Sequence, residues 1–541
     1  MNTPLAARFT ARGVALSVLS LALGLLSACG GDSSSAQPIP AEIQKVFDKP
    51  LYSKTTWSLR VVDTDSGEVI HDLRSDQRML VGSVRKLFSV GLALEEIGPD
   101  HRFRTPIHRV GNVDGAGVLT GNLVVVASGD LAMGGRTNPD GSFAITNFDH
   151  NEANSLGNAE LSAPDPLAGF DALARQVRAS GITQVAGDVV IDERLFEPFD
   201  FREEFNLSAM FVNDDVVDVT IGPAGAVDWR PRSAAFAVQS GLVVGPAGSA
   251  FTVKLEPEFP ACFGTPGCTG HVSGSLPADV VPPLTGKFPL VRTFRIVQPA
   301  AYARTVLIEA LARAGVTVSA APVTPNPTNL LPASRTYPDA TKVAELVSHP
   351  YSDYVRYIMK VSYNLGADMS LMYFGVNRNA TTQQGALALE RTVLNDRFGI
   401  ASDAIHFEDG NGGGESAATG NAVAGFLTSM SRSANAALFR DAQPRLGMDG
   451  SLAFVSDFKN DPTLAGAAGQ VWGKTGTYIL PDPQGVSYEA QALAGYITTK
   501  TGRHLAFSLA ANGIGPLPGI ESVIPVFQDQ GTVAAILWKL Y

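Results

Sequence analysis

The tightest constraint on this chain is a distance along it. Ser83-x-x-Lys86 and Ser362-x-Asn364 are separated by the 275 residues Leu87 to Val361, and Lys474-Thr475-Gly476 follows later still. Two hydroxyls, two amines and an amide can open an acyl bond without histidine or metal, provided that they share one pocket. No single loop occupies so long a stretch, so folded domains must be inserted between the first motif and the second. The flanks agree with this. Trp57 to Val62 and Glu68 to Leu73 read as a hairpin around Asp63-Thr64-Asp65-Ser66-Gly67. Gln491 to Thr498 and His504 to Ala511 read as strands joined at Lys500-Thr501-Gly502, with Lys474 to Leu480 as a third strand and Thr532 to Tyr541 as a closing helix. Strands at both chain ends with helices between them predict one antiparallel α+β domain assembled from both termini.

The interior supplies the rest of the plan. Gly82 to Leu94 is apolar nearly all round, which suits a helix buried at the centre of a domain with Ser83 and Lys86 on one face. Val118 to Val126 and Val185 to Asp192 read as strands. Asp165 to Ser180 reads as an amphipathic helix carrying Leu167, Phe170, Leu173, Ala174 and Val177 on one face, with Gly181 as terminator. Gly222 to Pro283 is richer in Gly and Pro and is expected to be a module nested in the insertion. Helix Ala300 to Ala314 is expected to re-enter the first domain. With 541 residues, 45% hydrophobic and 17% charged, the chain has room for these two or three domains. The expected boundaries are 45–94 with 293–541 for the split domain, 95–221 with 284–292 for the insertion, and 222–283 for the nested module.

Each motif also occurs as a decoy. Ser456-x-x-Lys459, Ser433-x-Asn435 and Lys500-Thr501-Gly502 repeat all three patterns, so context must choose. Ser456 and Lys459 run into the turn Asn460-Asp461-Pro462, and Lys500 lies in a hairpin turn. Lys474 instead enters a strand through Thr477-Tyr478-Ile479-Leu480, where a small Gly476 is expected to admit a substrate backbone. Ser362 and Asn364 suit a loop or helix cap that offers both side chains to a cleft. Gly473-Lys474-Thr475 mimics the end of a phosphate-binding loop, but Ala468 stands where that loop needs glycine, and a strand follows. The eight histidines show no His-x-x-x-His or His-Glu pairing, so neither a metal nor another cofactor is expected.

Arg8, Arg12, the apolar run Val14 to Leu26 and Leu26-Ser27-Ala28-Cys29 resemble a bacterial lipoprotein signal peptide over 1–28. A spanning helix needs about 20 apolar residues, and this run is broken by Cys29-Gly30-Gly31-Asp32. Cys29 is then the lipidated first residue and 29–44 a tether, which places the chain in the periplasm, lipid-anchored at the outer membrane. Loss of 1–28 removes two arginines and no acid, taking the net charge from −11 to −13, which disfavours a nucleic-acid partner. Cys262 and Cys268 are expected to form a small disulfide in an exported chain.

The ordered trio is the motif set of penicillin-binding proteins and serine β-lactamases. Further stretches extend the likeness: Gly121 to Val125 with Gly129-Asp130, Gly187 to Asp192, Asn213 to Val219, Asp409 to Gly412, Met448 to Leu452 and Ala494-Gly495-Tyr496. Over about residues 45 to 541 the chain resembles the D-alanyl-D-alanine carboxypeptidases/endopeptidases of the class C penicillin-binding proteins, the penicillin-binding protein 4 type. The resemblance implies a serine β-lactamase/D,D-peptidase-like domain split by smaller mixed α/β and β domains. It implies Ser83 as nucleophile, Lys86 as base with its pKa lowered by burial and by Lys474, Ser362 as proton relay and Asn364 as an orienting amide. Lys474, Thr475, Gly476 and Thr477 would hold the substrate, with the backbone N–H groups of Ser83 and Thr477 as the oxyanion site. Peptidoglycan stem peptides become the expected substrates and β-lactams the expected inhibitors. One departure stands out: where relatives usually read Asp-Gly-Ser-Gly-Leu-Ser-Arg, this chain has Asp409-Gly410-Asn411-Gly412-Gly413-Gly414-Glu415, an anion for a cation. That exchange bears on stem-peptide preference. The rival expectations are a serine β-lactamase, and a catalytically idle, lipid-anchored peptidoglycan-binding scaffold.

Overall fold

Large and small apolar side chains alternate along the strand His504–Leu517, with Leu505, Phe507 and Leu509 in one core and Ala506 and Ala510 in another. This period of two gives a sheet with one bulky face and one smooth enough for helices to lie close. In the computed structural model, which describes residues 36–541 except Gln484 and the side chains of Ile520 and Glu521, that strand is the middle of five. The antiparallel order is Val69–Leu73, Thr56–Asp63, His504–Leu517, Gly485–Thr498 and Val471–Asp482. Leu59 pairs with Leu509 and Val61 with Phe507, so the two ends of the chain are joined in one sheet. Helices Ala41–Phe47 and Ile524–Leu540 cover the bulky face through Ile43, Val46, Phe47, Val526 and Val533. Helix Gly420–Met430 packs on the alanine face. Beyond it lies Lys86–Ile97, whose first nine residues are all buried, with Tyr351–Val361 and Asn364–Asn377 beside it.

The insertion carries a second sheet. Thr317–Val318, Gln184–Val185, Val118–Val126, Arg102–Val113 and Lys342–Pro350 are neighbours in that order, and Val189–Asp192 pairs with Val118–Val126. Its pairs are both parallel and antiparallel. Helix Ala168–Ala179 packs beside Lys342–Pro350 and ends, as expected, before Gly181 in the left-handed region. Val216–Ile221 pairs with Val227–Arg230 and Leu290–Arg295. The strands Ala237–Ser240, Thr269–Ser273 and Lys254–Glu256 form a separate small sheet.

Several sequence expectations are corrected by partner choice, which periodicity does not encode. Val185 to Asp192 is not one strand: Asp188 turns its N–H to the Asn122 side chain at 2.9 Å and its carboxylate to Arg304, which divides the run. Helix Pro299–Arg313 does not return to the split domain but packs on Ala168–Ala179 and Val189–Asp192. Because Lys342–Pro350 pairs with Arg102–Val113, the chain returns at about Tyr351 rather than at 293. Val227–Arg230 belongs with Val216–Ile221, so the nested module begins after it rather than at 222. Residues 37–44, expected in the tether, are part of the fold: Gln37 N–H donates to Ile70 O at 2.8 Å, and Ile43 is fully buried. The expected signal peptide and Cys29 lie outside the described residues. Among the described residues, no helix is long and apolar enough to cross a membrane. Cys262 and Cys268 are joined as a disulfide.

Candidate active site

A 3-10 turn, Gly82–Arg85, leads into helix Lys86–Ile97, and the edge strand Val471–Asp482 crosses directly over it. The crossing is possible because both chains carry glycine at the contact. A Cβ on Gly476 would lie 1.9 Å from Val81 O, and one on Gly82 would lie 2.7 Å from Thr477 N. The reason for glycine at 476 is therefore internal: the turn that carries Ser83, not a substrate backbone, fills the space expected there. The result is that Ser83 and Thr477 stand together on adjoining elements.

Ser362 ends helix Tyr351–Val361 at φ 62°, and Asn364 opens the next helix, Asn364–Asn377. A serine in the left-handed region costs on the order of 1 kcal/mol and persists where its surroundings enforce it. Here the sharp reversal presents both side chains to one cleft. Lys474 Nζ donates to Ser362 Oγ and to Thr475 O, each at 2.8 Å. Thr475 Oγ1 lies 2.8 Å from Ser451 Oγ, and Thr477 Oγ1 donates to Gln491 Oε1 at 2.7 Å. The two amines, Lys86 and Lys474, are fully buried, whereas Ser83, Ser362 and Thr477 keep partial access to solvent.

Lys86 Nζ lies 2.6 Å from Ser83 Oγ, 2.6 Å from Asn364 Oδ1 and 2.8 Å from the Asn411 carbonyl. The last two groups can only accept a hydrogen bond, while a hydroxyl can donate. A neutral amine has two protons for those two acceptors, and its lone pair then faces the hydroxyl of Ser83. Burial pushes the amine down to about 7; the positive charge of Arg202 lowers it as well, against the opposing pull of Asp409, Asp368 and Glu152. The nearby cation expected from sequence was Lys474, but the principal one is Arg202. Lys474 is itself held well below the usual lysine value by burial and by the charge of Lys86.

The third contact of Lys86 comes from a built loop. Asp409 accepts from the N–H groups of Asn411, Gly412 and Gly413, and Asp368 accepts from Gly410 N and Asn411 Nδ2. Burial and then the charge of Asp409 push the Asp368 carboxyl up to about 7. Arg85 Nε donates to Asp409 O, and its other nitrogens form a bidentate buried pair with Glu390. The Asp-Gly-Asn-Gly pattern marks a tight turn, so this loop was visible in sequence, but its carbonyl contact was not. Glu415 is exposed; with Glu408 and Glu489 it adds negative charge around Tyr478, whose pKa burial already raises.

Two cleft residues carry no sequence signal. Glu152 Oε1 accepts from Asn364 Nδ2 at 2.5 Å, and Arg202 Nη1 donates to the same oxygen at 2.9 Å. Both belong to the insertion, and no short motif can register a contact across 212 positions. The decoys lie elsewhere: Ser456, Lys459 and Lys500 are exposed, and Asn435 donates to Glu95. Asp149, His150 and Asp214 come close enough for a metal, but Arg136 Nη2 occupies the gap at 2.9 Å from Asp149 and 2.6 Å from Asp214.

A split α+β domain with this pairing of hydroxyls and buried amines is the arrangement of the active-site-serine acyl hydrolases. Over residues 39–526 the chain matches the D-Ala-D-Ala carboxypeptidase 3 (S13) family, and it belongs to that family. It is 28% identical over 553 residues to the D-alanyl-D-alanine carboxypeptidase of Actinomadura sp. (strain R39), covering 96% of this chain and 90% of the relative. The fold is similar to that of penicillin-binding protein 4 from Haemophilus influenzae, with a TM-score of 0.66 at 18% identity, covering 92% of this chain and 99% of that one. The same protein complexed with a β-lactam gives a TM-score of 0.62 at 18% identity, covering 92% and 100%.

Proposed function

We propose that the enzyme cleaves D-alanyl-D-alanine termini and D,D-cross-links of peptidoglycan stem peptides through an acyl-enzyme on Ser83. The observation that carries this is the Lys86 amine, 2.6 Å from Ser83 Oγ, with its two other partners able only to accept. Neutral Lys86 takes the hydroxyl proton as Ser83 Oγ attacks the carbonyl of the penultimate D-alanine. The backbone N–H groups of Ser83 and Thr477 receive the oxyanion. As the C–N bond breaks, the proton taken from Ser83 passes from Lys86 by way of the Ser362 hydroxyl to the departing amine, leaving Lys86 neutral, while Lys474 orients that hydroxyl through its 2.8 Å contact. Lys474 and the hydroxyls of Thr475 and Thr477 hold the terminal carboxylate. Water then attacks the ester, giving a proton to neutral Lys86, which returns it to Ser83 Oγ as the acyl C–O bond breaks. A β-lactam carbonyl enters the same position and acylates Ser83. Lipidation at Cys29 would hold the enzyme at the outer membrane, facing the periplasm.

Digestion of purified cross-linked peptidoglycan, with the fragments weighed, tests this reading. Free D-alanine marks carboxypeptidase action, and conversion of cross-linked dimers to monomers marks endopeptidase action. Release of neither, with the peptidoglycan retained intact on the protein, contradicts the proposal and favours a scaffold. Rapid hydrolysis of penicillin in place of either favours a β-lactamase.

A further inference from the structure

The insertion reaches into the cleft through the sequence of contacts Arg202–Glu152–Asn364–Lys86–Ser83. Glu152 sits in the 3-10 turn His150–Glu152. Arg202 sits at the tip of the hairpin formed by Phe199–Phe201 and Phe205–Leu207. Both Arg202 and Glu203 have positive φ, at 55° and 60°, a conformation that costs a non-glycine residue energy and is concentrated at functional sites. The Arg202 side chain keeps 37% of its surface exposed, and its Nη1 contact to Glu152 brings its charge beside the cleft.

We propose that Glu152 and Arg202 are a positioning pair that the insertion contributes to the reaction. Glu152 fixes which way the Asn364 amide faces, and the two opposite charges set the proton affinity of Lys86. The first part follows from donor and acceptor chemistry. An ionised carboxylate only accepts, so it selects the NH2 end of the amide and turns Oδ1 toward Lys86. With the amide reversed, Nδ2 would face the amine, and one proton of Lys86 would lose its acceptor; the lone pair would no longer be directed at Ser83 alone. Burial raises the Glu152 carboxyl, but Arg202, Arg295 and the Asn364 hydrogen bond outweigh it and keep the group ionised. The second part follows from charge. The groups facing Lys86 are Arg202 and Glu152 from the insertion, Asp368 from helix Asn364–Asn377, Asp409 from the loop and Lys474 from the edge strand. Only the first two come from outside the split domain, and they act on Lys86 with opposite signs. The proposal rests on Ser83 and Lys86 acting as described above.

The test is the pH profile of acylation by labelled penicillin in the full-length protein. Arg202→Gln removes a cation, makes protonation of Lys86 easier, and is expected to move the acid limb up by about one pH unit. Arg202→Lys restores it. Glu152→Gln keeps an acceptor but removes the anion, and moves the limb the opposite way. Glu152→Ala lowers the plateau rate by about tenfold or more, because the amide is no longer held. If Glu152→Ala fails to fold, the charge variants still decide the matter. Limbs that stay at the wild-type midpoint, or rates that fall equally at every pH with an earlier melting transition, overturn the proposal. Ser83→Ala, run beside them, separates the two readings: labelling of that variant overturns the acyl-enzyme itself, whereas its silence with unmoved limbs overturns only the positioning pair.

Discussion

Lys86 is the residue on which the chemistry turns. Its amine is held near 7 by burial first and by Arg202 second. Below that pH the group carries a proton and cannot accept the one from Ser83, so acylation by labelled penicillin is expected to fall as the pH drops through about 7 and to level off above it. A flat profile between pH 5 and pH 8 would exclude Lys86 as the base. Lys86→Met removes the base while preserving bulk, and is expected to slow acylation by about 10²–10⁴-fold, read by the same assay. Among single residues, legibility followed sequence distance. Ser83 and Lys86, or Ser362 and Asn364, declare themselves because each pair shares one turn of backbone. Glu152 and Arg202 do not, since their relation to Asn364 exists only after two domains have packed. The action of Arg202 on Lys86 escaped the sequence for the same reason.

Among elements, the edge strand and the Ser83 turn form one unit. Gly476→Ala would drive a methyl group into Val81 O and the Val84 N–H, both backbone atoms that no side-chain rotation can move aside. The turn or the strand must shift, at an expected cost of about 1–3 kcal/mol, and acylation should fall with it. Gly502, in the decoy Lys500-Thr501-Gly502, has open space around it, and Gly502→Ala should leave acylation unchanged despite its positive φ. Thermal melting with penicillin labelling of the two variants checks both statements. Equal effects would mean that the motif glycine is not special. The strands at the chain ends were legible because Leu505 to Ala511 and Gln491 to Thr498 alternate between two covered faces. The division of Val185 to Asp192 was not, because it arises from Asn122 and Arg304 reaching in from elsewhere.

Over the whole molecule, the stability of the cleft depends on how the insertion is tied to the split domain. Arg136 meets Asp149 and Asp214 within the insertion and stacks on Tyr357 of the helix that ends at Ser362, with its guanidinium carbon 4.0 Å from the ring centre. Arg136→Met removes the guanidinium shared by two buried carboxylates, leaving them His150 and the neutral donors Asn151 and Tyr357. It is expected to lower unfolding free energy by about 3–5 kcal/mol in chemical denaturation. A change within error would show the cluster to be incidental. The insertion itself was legible from 275 residues that no loop could occupy, but its limits were not. Strand Lys342–Pro350 looks like any other strand until Arg102–Val113 claims it.

The most direct measurement is to incubate the protein with penicillin, digest it, and locate the adduct by mass. One penicilloyl group is expected on the peptide containing Ser83, and none anywhere in Ser83→Ala. An adduct on another serine, such as Ser456, or equal labelling of the variant would contradict it.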